Sequence, residues 1–224
     1  MGKDNQPKVR QAAQLARKAG RRAPCDRILI VSEGSKTEPM YLGEMRVEYR
    51  LPTANVQVHP GHFGTTPLQV VEFAEHLFLN GDEAKDIQPR AFEQVYAVFD
   101  RDDHDTYHNA LAKTAALDGK LRTKSNQPVR FAAIASVPCF ELWLLLHFED
   151  VLAPIHRNEV YQRLRPYLPG YDKGQSGHYA NTKARLAEAM QRAEHLATLA
   201  DAHDGTEPYT DLHRLVRLLT TLKP

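Results

Sequence analysis

The sequence predicts an α/β protein: an open, mainly parallel sheet flanked by helices, followed by a helical C-terminal extension. Short apolar runs recur at RILIV, NVQVH, VYAVF and VRFAAIA, the pattern of strands covered on both faces. Segments with helical spacing separate them, which implies parallel pairing through right-handed crossovers. From Asn158 onward only helical signals follow. The predicted organisation is an arm over residues 1–24, an α/β domain over 25–150 and a helical extension over 151–224.

The first strand is Arg27 to Val31, ending at the loop SEG. Thr37-Glu38-Pro39 opens a helix through Met45, with Pro39 near the first turn, where its missing N–H costs nothing. Asn55 to His59 is the second strand, ended by Pro60-Gly61. Pro67 then starts a helix carrying Leu68, Val71, Phe73, Ala74 and Leu77. Val95 to Phe99 is the clearest strand and runs directly into DRDDHD. Asp105 or Thr106 caps the next helix, which carries Tyr107, Leu111 and Ala115. Val129 to Ala135 is a fourth strand, and SVPCFELWLLLHF reads as a buried helix. The extension contributes NEVYQRLRPYL, NTKARLAEAMQRAEHLATLA and TDLHRLVRLLTTL, the first two joined by the Gly-rich loop PGYDKGQSGHY. These helices either cover the sheet or form a satellite layer. Their Leu- and Ala-rich faces suit a homodimer contact as well as intramolecular packing.

Composition sets the class. Of 224 residues, 42% are hydrophobic and 25% charged, near the averages of globular domains, which excludes collagen-like and wholly disordered readings. The longest uninterrupted apolar run, Leu142 to Leu146, is far too short for a membrane span. The start MGKDNQPKVRQ lacks the apolar stretch of a secretory signal, and two cysteines, Cys25 and Cys139, are too few for a disulfide framework. A cytoplasmic location is the expectation. Charge is unevenly spread: residues 1–24 carry Lys3, Lys8, Arg10, Arg17, Lys18, Arg21 and Arg22 against Asp4 alone, in front of a mildly acidic body. Such an arm suits phosphate contacts without sequence readout, and equally suits a solvated tail.

In an open parallel sheet, ligands collect beyond the carboxyl ends of the strands. Glu33 stands just past ILIV, and Asp100, Asp102 and Asp103 follow VYAVF at once. If the two strands are neighbours, their carboxylates converge, and like charges so close require protons or a cation. Mg²⁺ or Mn²⁺ is the predicted partner, with Glu33, Asp100, Asp102 and Asp103 as candidate ligands. The bland alternative is that these aspartates serve as turn and cap residues. His104 and Asp105 extend the cluster, and Lys36 and Arg101 are candidates for gripping a phosphate. His59 and His62 lie at the end of the second strand. GSKT at Gly34 to Thr37 fails the phosphate-loop spacing, because Ser35 stands where a glycine is required.

With Glu after the first strand and Asp-x-Asp after a later one, the chain resembles the Toprim domain, the metal-binding module of primases, topoisomerases and overcoming-lysogenization-defect nucleases. ILIVSEGSKTEPMYL, VFDRDDH, SVPCFELWLLLHF and TDLHRLV, in that order over about residues 27–220, are similar to the RloB family, also known as AbiLii-like proteins. These are small bacterial proteins often encoded beside an ATPase in restriction and phage-defence loci. The resemblance puts the acidic Toprim positions on Glu33, Asp100 and Asp102. The family's own signatures fall on Pro138, Phe140, Glu141 and Trp143, and on His213. Val137 departs from the family pattern, which has a polar residue there. Glu141 and His213 join Lys36, Arg101 and His104 as candidate substrate-binding residues; a carboxylate in so apolar a helix needs a partner or a metal. What the resemblance implies is a Mg²⁺-dependent nuclease acting on DNA or RNA in phage defence or abortive infection, with Glu33, Asp100 and Asp102 catalytic. The alternative is a non-catalytic nucleotide- or nucleic-acid-binding subunit that works with a partner ATPase.

Overall fold

The computed structural model describes residues 26–64, 66–205 and 208–222. The basic arm, residues 1–24, lies outside the described residues, as does Cys25. In chain order the elements are β1 (Ile28–Ser32), α1 (Thr37–Glu48), β2 (Val56–Pro60), α2 (Pro67–Asn80), β3 (Gln94–Asp100), α3 (Tyr107–Leu117), β4 (Arg130–Val137), α4 (Glu141–Leu145), α5 (Arg157–Leu164), α6 (His178–Thr182), α7 (Leu186–Leu199), β5 (Tyr209–Thr210) and α8 (Leu212–Thr221). No helix among the described residues is long and apolar enough to cross a membrane.

The five strands form one sheet in the order β2-β1-β3-β4-β5. The first four are mutually parallel, and only β5 runs antiparallel, on β4. Each parallel step crosses over through helix, as the alternation of apolar runs and helical spacing requires. The two-residue period of the strands divides the core. Ile28 and Ile30 face one side with Tyr96, Val98 and Ile134, whereas Leu29 and Val31 face the other with Val95, Ala97, Phe99 and Phe131. Helices α2 and α3 cover the second face through Val70, Ala74, Phe78, Tyr107 and Ala110. The first face receives α1, α4 and the C-terminal helices: Trp143, Leu145, Val160, Leu164, Ala193, Leu215 and Leu219 belong to one cluster with the sheet. Within the extension α8 packs on β4 and α7 on β5, whereas α5 packs on α4 and α6 on α1, so the extension covers the sheet in part and adds a further layer in part. Each buried Leu or Ile contributes about 1.5–3 kcal/mol, so the four side chains Ile28 to Val31, all with no exposed surface, anchor the strand that carries the candidate site.

Several boundaries differ from those read in the sequence. Tyr209–Thr210 is a strand inside a region of helical signals, pairing Val137 with Tyr209 and Ser136 with Thr210. Two residues are too short to show a period. The segment beginning at Asn181 is split: α6 ends at Thr182, a 3₁₀ turn occupies Lys183–Arg185, and α7 follows. Thr106 occupies the cap position of α3 but makes no capping bond, and its Oγ1 is buried without a partner among the described residues.

Candidate functional site

Register decides where the carboxylates meet. Ser32 lies opposite Val98, and Asp100 opposite Ser136, so β1, β3 and β4 end on one edge. The Glu33 N–H continues the ladder by donating to Val98 O (2.8 Å), which turns its side chain toward the neighbouring strand end. There Glu33 Oε2 accepts the backbone N–H of Asp100 (3.1 Å), and Glu33 Oε1 lies 3.3 Å from His104 Nε2. Burial is the main cause that pushes the Glu33 carboxyl up to about 7, with Glu38 and Asp102 adding to it. Asp100 is only 8% exposed; burial, then the charges of Glu38, Glu141, Glu33 and Asp102, hold its pKa well above the carboxylate range.

Asp102 is held by its backbone as much as by its side chain. Its φ is +36°, a left-handed conformation that Asp tolerates better than most residues, and its N–H donates to Pro138 O (3.1 Å). The side chain takes Arg157 Nη1 on Oδ2 (2.9 Å), while Oδ1 is buried with no hydrogen-bond partner among the described residues. Burial raises its pKa, and Arg157 opposes that.

Glu38 and Glu141 complete the cluster. Glu38 sits in the first turn of α1, buried, and burial followed by Glu141 pushes it up to about 7. A Cβ on Gly34 would overlap the Glu38 carboxylate, so the glycine of SEGSK is what lets this side chain fold over the loop. Glu141 is 1% exposed at the start of α4. It accepts Tyr171 OH (2.8 Å) and Tyr161 OH (3.1 Å), and Lys173 Nζ lies 3.3 Å away. Burial works to lower the pKa of Lys173, but Glu141 and Tyr161 outweigh it and the ammonium is held charged.

Lys173 is delivered by a strap, the Gly-rich loop 170–177. Thr37 Oγ1 donates to Lys173 O (2.6 Å), and Glu44 of α1 accepts the N–H groups of Gly177, Tyr179 (3.1 Å) and Ala180 (3.3 Å). Helix α1 thus fixes the middle of the strap and its C-terminal end. Lys36 is exposed and points at the strap, where a Cβ on Gly174 would lie 3.4 Å from its Nζ.

The sequence candidates therefore divide. Glu33, Asp100, Asp102, His104 and Glu141 share one acidic centre. Asp103 is exposed and, with Arg101, lines a cavity beside it. His213 stands elsewhere: its Nδ1 donates to Thr210 O (2.9 Å), burial lowers its pKa, and its charged neighbours are Asp211 and Arg214. His59 contacts Gln57 (3.0 Å) and His62 packs on Phe73; neither touches the centre. Glu38, Arg157, Tyr161, Tyr171 and Lys173 are members that motif reasoning did not single out. Only Glu38 left a local signal, following Glu33 inside the same short segment.

Among the described residues, no three His, Cys, Asp or Glu side chains are arranged as a ready-made metal cage. The donors are carboxylate oxygens, the chemistry that hard divalent cations take. Five carboxylates meet two fixed cations, Arg157 and Lys173, and the buried Asp102 Oδ1 is unpartnered. Excess negative charge of this kind is relieved by protons or by an oxygen-seeking ion.

A family model described as RloB-like protein matches residues 28–219. No curated protein and no solved structure matches the chain.

Proposed function

The chain belongs to the RloB-like family, and from that premise we propose that it is a Mg²⁺- or Mn²⁺-dependent phosphodiesterase acting on nucleic acid, an effector of bacterial phage defence. The observation that carries this reading is the convergence of Glu33, Glu38, Asp100, Asp102 and Glu141 where β1, β3 and β4 end. Asp100 and Asp102 would hold the ion, with Glu33 either a further ligand or the general base; when bound the ion would polarise a phosphate and make its water more acidic. The chain's own groups do the rest. Glu33, steadied by the Asp100 N–H and facing His104, is placed to take a proton from water. Arg157 orients Asp102, and Lys173 offsets the charge of Glu141 and brings a cation to the rim.

One observation favours a second reading. Asp102 and Glu141 are already ion-paired, as suits a site that binds a nucleotide or nucleic-acid end without cutting it, under a partner ATPase. Incubation of the purified protein with Mn²⁺ and single-stranded DNA, duplex DNA, RNA or tRNA, with and without a candidate partner ATPase, separates the two. Cleavage that disappears in Asp100→Asn and Glu33→Gln is the expected result. Cleavage retained in both variants removes the mechanism, and no cleavage under any condition leaves the binding-subunit reading.

A further inference from the structure

Beside the carboxylates lies a cavity of about 150 Å³ with two kinds of wall. Its floor is apolar: Val137 and Pro138 at the end of β4, and Ile155 from the loop before α5. Its polar lining is donor-rich, formed by Arg101, Arg157 and His156 together with the carboxylates of Asp102 and Asp103. The walls are tied to each other. Arg101 N–H donates to Ser136 O (2.9 Å) and Asp102 N–H to Pro138 O (3.1 Å), which joins the loop after β3 to the loop after β4. Arg157 spends one Nη1 donor on Asp102 and keeps its remaining guanidinium donors. His156 Nδ1 accepts the N–H of Asn158 (3.2 Å), which fixes the neutral ring's proton on Nε2 as a further donor.

An apolar surface beside two arginines and a histidine N–H donor, with the acidic centre itself as one wall, suits a ligand that joins a flat apolar face to an anion. A nucleotide unit has that form. In a duplex the face of each base is stacked and its edge paired, so it cannot reach such a floor; a single strand offers its bases unstacked. The geometry points to this cavity as the subsite for one unpaired nucleotide next to the phosphate at the acidic centre, which makes single-stranded nucleic acid the substrate class. The inference rests on the phosphodiesterase reading for the identity of the neighbouring centre, and the Val137 that departs from the family pattern is here part of the floor.

The test is fluorescence anisotropy with a labelled single-stranded DNA, the RNA of the same sequence and the blunt DNA duplex, all in EDTA so that no cleavage intervenes. The expected result is that at least one single strand binds about tenfold or more tightly than the duplex. Arg101→Glu and Ile155→Asp should each bring that strand down to the duplex value, and whichever sugar shows the preference identifies the target. Should Ile155→Asp fail to fold, Arg101→Glu on the half-buried loop side chain carries the test alone. Duplex binding as tight as both single strands, or a preference untouched by Arg101→Glu, overturns the assignment. Cleavage is scored separately with Mn²⁺. Single-strand preference without cleavage keeps the subsite and removes the nuclease, whereas equal cleavage of duplex and single strand keeps the nuclease and removes the subsite.

Discussion

The carboxylate of Glu33 accepts the backbone N–H of Asp100 at 3.1 Å, joining the loop after β1 to the last residue of β3 across the sheet. This bond ties together the acidic residues of two separate motifs that strand register makes neighbours. It also places a carboxylate that burial disfavours beside another that burial disfavours more.

A divalent cation should therefore stabilise the folded protein through Asp100. At roughly 100 times its dissociation constant, Mn²⁺ adds about 2.7 kcal/mol to stability if it binds only the folded state, read as a rise in melting temperature. Asp100→Asn should abolish that rise and lower Mn²⁺-dependent cleavage by at least about 100-fold. Without metal the variant should melt no lower than the parent, since burial and four neighbouring carboxylates already disfavour a charge at this position and the amide carries none. A Mn²⁺-induced rise that survives in Asp100→Asn places the ion elsewhere.

Much of this acidic cluster is legible in the sequence alone. Continuous apolar runs such as ILIV and VYAVF mark buried parallel strands because both their faces are covered, and carboxylates directly after such runs land at the ligand-binding edge. Lys173 and Arg157 were not legible. Each is a single cation in a polar loop or at a helix start, brought to Glu141 and Asp102 by tertiary contacts that leave no local pattern. His213 shows the reverse: a candidate from the resemblance, it stands apart from the carboxylates, and its Nδ1 donates to Thr210 O. The strand Tyr209–Thr210 escaped because pairing with Ser136 and Val137, and not its own sequence, makes it a strand.

Tyr171 tests how Glu141 tolerates burial. Its hydroxyl donates to Glu141 Oε1 at 2.8 Å, and burial together with Glu141 pushes its own pKa up, so that it remains a donor. Tyr171→Phe removes one of two tyrosine donors to a carboxylate only 1% exposed, which should cost about 1.5 kcal/mol in urea unfolding. An unchanged midpoint and slope would mean that Lys173 and Tyr161 suffice.

Gly34→Ala should separate function from stability. The added Cβ would overlap the Glu38 carboxylate, the far end of a flexible side chain, so the side chain can turn away at a cost under about 1 kcal/mol. Displacing Glu38 removes a member of the centre, so Mn²⁺ affinity and cleavage should fall while the melting temperature hardly moves. A large stability loss with Mn²⁺ affinity intact contradicts this.

Acid stability depends on His147, a residue apart from the acidic centre. His147 follows α4 with no exposed surface. Its Nδ1 donates to Trp143 O at 2.9 Å, and its Nε2 is buried with no partner among the described residues, an arrangement that admits only the neutral ring. Burial accordingly lowers its pKa from 6.5 to about 4. Between those values the unfolded chain binds a proton that the folded chain refuses. The contribution of His147 is thus fully present above pH 6.5 and is lost as the pH falls toward 4. The loss is about 2 kcal/mol by roughly pH 5 and about 3 kcal/mol by the folded pKa. Glu33 and Glu38 act with the opposite sign, since their carboxyls are raised from 4.5 to about 7 and their contribution is lost as the pH rises through 7. Comparison with His147→Leu cancels that background, because both proteins keep the carboxylates. Urea unfolding of the two from pH 7 to pH 5 should show the parent losing about 2 kcal/mol relative to the variant; a difference that stays constant across that range would mean that the imidazole is hydrated and titrates normally.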